Sequence, residues 1–108
     1  MWRHSTVKLT HYPHPMPDHE DDKIAPILAY LRQTFQGAEL SHGWADAHTY
    51  EFRMVHGGLV QKVLVASAFL DSRTPDDITV FFHVHLLGQM MLRAGGKPVL
   101  VREEGIII

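Results

Sequence analysis

An α+β fold, a two-layer sandwich in the order α-β-β-β-α-β, is predicted by three features of the chain. A period-2 pattern on either side of a Gly-Gly pair marks a β-hairpin at residues 49–66. A capped and terminated apolar stretch, residues 74–96, marks a helix after it. A second amphipathic stretch, residues 23–36, marks a helix before it. With 108 residues the chain is expected to form one domain over 23–108, preceded by an extended His- and Pro-rich leader over 1–22.

The leader contains Tyr12-Pro13-His14-Pro15-Met16-Pro17, three prolines at alternate positions, which favour an extended run. Thr6 to Tyr12 alternates weakly, as a short edge strand would. In the helix that follows, Ile24, Ile27, Leu28, Leu31 and Phe35 share one face. Asp21 or Asp22 is expected to cap it, with Pro26 in the first turn, where a missing N–H costs least.

Residues 38–45 form the first predicted strand of a meander. A three-residue loop, Asp46-Ala47-His48, sets Leu40 against Met54, His42 against Phe52 and Trp44 against Tyr50, so all the large groups lie on one face. Across the Gly57-Gly58 turn, Phe52 falls opposite Val63, Tyr50 opposite Val65 and Met54 opposite Gln61. The other face carries Glu51, Arg53 and Lys62. Residues 67–73 read as a connector that tucks Phe69 and Leu70 under the next helix. Thr74-Pro75-Asp76-Asp77 begins that helix and Ala94-Gly95-Gly96 ends it. As one rod over 74–93 it bears two apolar stripes: Val80, Val84, Leu87 and Met91, then Ile78, Phe82, Leu86 and Met90. One covers the sheet; the other requires the first helix or a second subunit. A last strand at 98–102 can join by a right-handed crossover and run parallel to its neighbour. Ile106, Ile107 and Ile108 then either pair back on a sheet edge or pack on a partner.

The α-β-β-β-α order resembles that of double-stranded-RNA-binding domains. The helix start that should meet phosphate is nevertheless acidic here, Asp76-Asp77, so the topology implies no function.

Ten Lys+Arg against twelve Asp+Glu give a net charge of −2, which argues against a broad nucleic-acid or anionic-membrane surface. Nucleic-acid contact is reduced to a local patch at Arg53 and Lys62. With no cysteine there is no disulfide, thiolate or cysteine–metal chemistry. No apolar run approaches the ~20 residues of a membrane span, and a cytoplasmic location is the expectation. Nucleophile elbow, phosphate-binding loop, H-E-x-x-H and paired catalytic carboxylates are all missing, which points away from an enzyme.

Nine histidines supply the alternative, a metal-binding protein or a metal-dependent enzyme. His11 and His14, at i and i+3, could with His19 and nearby carboxylates ligate zinc or another transition metal. His83 and His85 point apart on a helix and form no such pair. His42 sits on the core face beside Trp44 and Phe52, the place of a satisfied buried imidazole. The leading expectation is thus a small binding or regulatory protein, without cofactor, that acts through protein contacts and associates with itself. Phe82, Leu86 and Met90, with Ile106, Ile107 and Ile108, would form its interface.

Overall fold

The structure is a computed structural model that describes residues 3–4 and 17–108, with side chains described from Asp22 onward. Its elements are β1 (Arg3–His4), α1 (Pro17–Thr34), β2 (Glu39–Asp46), β3 (Thr49–His56), β4 (Leu59–Ala66), α2 (Ser67–Ser72), α3 (Pro75–Val84), α4 (Leu87–Ala94), β5 (Val99–Arg102) and β6 (Gly105–Ile107). The fold is α+β. The strands form one sheet in the order β1-β2-β3-β4-β5-β6, antiparallel except for the parallel pair β4–β5.

The predicted meander register is the observed one. Leu40 pairs with Met54, His42 with Phe52 and Trp44 with Tyr50, and the register shifts within β2 between Trp44 and Asp46. Across the next turn Tyr50 pairs with Val65, Phe52 with Val63 and Met54 with Gln61. Gly57 and Gly58 both take positive φ, 58° and 84°, as the two central residues of a type I′ turn must. The terminal isoleucines do pair back on the sheet: Ile106 lies opposite Val101 and Ile107 opposite Leu100.

Because partners across a sheet share a face, the buried Tyr50, Phe52, Met54, Val63, Val65, Val99 and Val101 all line one side. The buried residues of α1, α2, α3 and α4 belong to the same core cluster. Burying each such large apolar side chain contributes roughly 1.5–3 kcal/mol. Gln61, also on this face, donates from Nε2 to the Met91 carbonyl at 3.1 Å and so ties α4 to the sheet.

Four expectations are corrected. The rod over 74–93 is two helices. Leu86 adopts left-handed φ 55°, ψ 53° and separates α3 from α4. The cause is geometric. In an unbroken helix Phe82 and Leu87 would project about 140° apart, and both could not reach one core. With the break, Phe82, Leu87 and Met91 are all at most 1% exposed. Phe82, expected at an interface, is therefore a core residue, with the Tyr30 ring of α1 5.4 Å away and Phe69 6.1 Å away. Val80 and Val84 are left outside.

Second, α1 begins at Pro17 rather than Lys23, so the leader's last residues are helical and Pro26 lies in the helix interior. Proline is well suited to a helix start, and the acidic run from Asp18 to Asp22 complements the dipole there. Third, most of the expected connector is helix α2, with Phe69 and Leu70 buried as anticipated. Fourth, the expected three-residue loop at 46–48 is a two-residue turn, Ala47-His48: Asp46 pairs with Thr49, and an irregularity between Trp44 and Asp46 keeps Trp44 opposite Tyr50. At the amino-terminal end β1 runs against β2; Thr6 to Tyr12 lies outside the described residues.

Candidate interaction surface

The other side of the sheet has a different composition. Cross-strand register places Glu39, Val55 and Val60 in one row, then Ser41, Arg53 and Lys62 in the next. The third row is Gly43, Glu51, Leu64, Leu100 and Ile107, and it crosses from β2 to the sheet edge. Thr49, Ala66 and Arg102 follow at the end of the strands. Among the described residues no helix is assigned to this side, because the buried helical residues all join the opposite core. Antiparallel sheets commonly leave one face to solvent, and such a face is then polar. This one is mixed. Val55, Val60, Leu64 and Leu100 are half-buried, as are Glu51, Arg53 and Lys62; Ile107 is 43% exposed, and on β2 Ser41 and Gly43 are buried.

At the edge, β6 is hydrogen-bonded only to β5 among the described residues. Its free side offers backbone donors and acceptors next to exposed Ile107 and Ile108. Ile106 points to the core side and is half-buried against it. The hairpin that carries β6 is held by Arg73, whose Nη2 donates to the Glu103 carbonyl at 3.0 Å. The same guanidinium lies 4.8 Å from the Phe69 ring centroid and 4.5 Å from that of Phe81, close enough for cation–π attraction.

Of the residues expected at an interface, Ile106, Ile107 and Ile108 are together at this edge. Leu86 and Met90 are in the helical layer, Leu86 half-exposed at the α3–α4 elbow and Met90 half-buried. Phe82 is in the core. Val80, Val84 and Leu92 are the other exposed apolar side chains of α3 and α4.

The histidines divide. His11 and His14 lie outside the described residues, and only the backbone of His19, within α1, is described. Among the described residues no three His, Cys, Asp or Glu come together so as to hold a metal ion. His42 is 3% exposed; its Nδ1 lies 2.7 Å from the Tyr50 hydroxyl and its ring stacks on Phe52. It is thus a hydrogen-bonded core imidazole, and neither Glu39 nor Asp46, both at the exposed ends of β2, is buried with it. His48, Thr49, Leu64, Ala66, Arg102 and Glu104 line part of an open cleft of about 360 Å³ at the carboxyl ends of β4 and β5. It holds one imidazole with carboxylates but no nucleophile–base pair joined by a hydrogen bond.

Two contacts that shape these surfaces carry no signal in the sequence. One is the Arg73 bond to Glu103, thirty residues away. The other is the Tyr30 hydroxyl on α4, described below. No helix of the described residues is long and apolar enough to cross a membrane. No protein-family model, curated protein or solved structure matches the chain.

Proposed function

We propose that this chain is a small non-enzymatic binding protein that acts through protein–protein contacts and associates with itself. One observation carries the reading. Among the described residues the buried helical side chains join the core on one side of the sheet, while the other side bears an apolar row, Leu64–Leu100–Ile107, that runs out to β6, whose second edge has no described partner. Row and edge together make the kind of surface that soluble proteins ordinarily cover. Ile107 belongs to both features, and Ile108 follows it at the edge. Leu86 and Met90 belong to the other layer and are not needed for this contact.

Light scattering across the micromolar range tests the reading. The expected result is a mass that rises from one chain towards two, and a return to one chain when Leu100→Lys places a charge in the row. A mass of one chain at every concentration overturns it.

A further inference from the structure

From the placement of charge on the sheet face opposite the helical core, we infer that its occupant is a second copy of the same chain, packed sheet to sheet; this rests on the self-association proposed above. On β3, Glu51 and Arg53 are neighbours along one face, in adjacent rows. Lys62 lies beside Arg53, and Leu64 beside Glu51. A two-fold axis running across the strands, midway between these rows, exchanges them. Glu51 of each copy then meets Arg53 of the other, twice per dimer, and the Lys62 stem covers Leu64.

An axis along the strands does the opposite. Laid midway between β3 and β4, it sets Arg53 of each copy against Lys62 of the other, and like charges repel there. The pattern therefore selects one of the two simple ways of stacking this face on itself. It also explains why the face is neither solvated and polar nor fully apolar: charges of both signs stand beside an apolar row, as self-recognition requires.

The size is suitable. β2, β3 and β4 have eight residues each, and β5 and β6 continue the face laterally. At about 3.3 Å per residue and 4.8 Å per strand, the footprint is roughly 500 Å² before the relief of side chains. A standard interface covers about 800 Å² of accessible surface on each partner. The β6 edge, with three residues, offers far less and would contribute at the rim. Two such sheets would stack about 10 Å apart with nearly aligned strands.

The test is a charge exchange in the full chain. Glu51→Arg makes the pair of positions wholly basic, and Arg53→Glu makes it wholly acidic. Each variant alone should dimerise at least roughly tenfold more weakly than the natural chain, because the two cross-copy contacts become repulsive. Mixed in equal amounts the two variants should form a heterodimer of near-natural affinity, read by sedimentation velocity with one variant fluorescently labelled. Circular dichroism checks that each is folded; Arg53→Asp, acidic at the same position, replaces Arg53→Glu should that variant unfold. A natural chain that stays monomeric overturns both this inference and the reading beneath it. A natural dimer that both variants reproduce unchanged, or variants that stay monomeric when mixed, overturns the sheet-to-sheet pairing alone.

Discussion

The Tyr30 hydroxyl accepts a hydrogen bond from the Gly88 amide at 2.9 Å, joining α1 to the first turn of α4. The amide is one that a helix start leaves without a partner in its own helix, and Leu86 at the cap position gives no side-chain bond. The approach is close: a Cβ added at Gly88 would lie 2.7 Å from Thr34 Cγ2. Thr34 is β-branched and stiff in its helix, so the clash is not easily relieved. Gly88→Ala should lower stability by about 1–3 kcal/mol in urea denaturation, and Thr34→Ser in the same chain should recover part of it. Tyr30→Phe, which removes only the bond, should cost about 1 kcal/mol. An alanine variant as stable as the natural chain contradicts the close packing.

Leu86 carries backbone strain with little burial to offset it. Its left-handed conformation costs a non-glycine residue roughly 1–2 kcal/mol, and half of its side chain is in solvent. Leu86→Asn, which tolerates that conformation, should raise stability by about 0.5–1 kcal/mol. Leu86→Val, branched at Cβ, should lower it. The difference between the two melting curves is the readout, and the opposite order refutes a left-handed elbow. Neither change should alter self-association.

Arg73 fastens the β5–β6 turn to the start of α3. Arg73→Met keeps much of the packing on Phe69 and Phe81 but loses the bond to the Glu103 carbonyl. Hydrogen exchange should accelerate at the β6 amides, with a global loss of about 1 kcal/mol. Unchanged protection in β6 would mean that the hairpin is held without Arg73.

The imidazole of His42 is a packing element. With its Nδ1 2.7 Å from the Tyr50 hydroxyl in a buried setting, Tyr50→Phe should destabilise by about 1–2 kcal/mol. The loss should appear in the denaturation midpoint with no change in dimer affinity. An intact midpoint would deny the pair a structural role.

The strand registers were legible because two constraints agreed. Alternation fixed which residues share a face, and the turn at Gly57-Gly58 fixed which residues of β3 and β4 stand opposite; between β2 and β3 an irregularity ahead of a two-residue turn gives the same pairs that a three-residue loop would. The Thr74 start was legible for a similar reason. The capping box is local: Thr74 Oγ1 accepts from the Asp77 amide at 3.1 Å, and Asp77 Oδ2 accepts from the Thr74 amide at 3.4 Å. The break at Leu86 was not legible, since no glycine or proline marks it and two apolar stripes suit an unbroken rod equally well. Tertiary burial of Phe82 and Leu87 in one core decides it. Pro26 misled in the same way: it reads as a first-turn residue, yet α1 continues through it. The sequence pattern did place Glu51, Arg53 and Lys62 on the face away from the core. What it left open was the row that runs past them, because Leu100 and Ile107 reach Leu64 only through the parallel β4–β5 pairing and the β6 return.

Methyl-detected magnetic resonance over a concentration series addresses the central claim most directly, since it reports each surface separately. As concentration rises, the methyl signals of Val55, Val60, Leu64 and Leu100 should shift together along one binding curve. Those of Val80, Val84, Leu86 and Leu92, on the helical side, should stay in place. Shifts confined to the helical set, or none in either set across the micromolar range, would contradict an account in which the side of the sheet opposite the helical core is where this protein meets its partner.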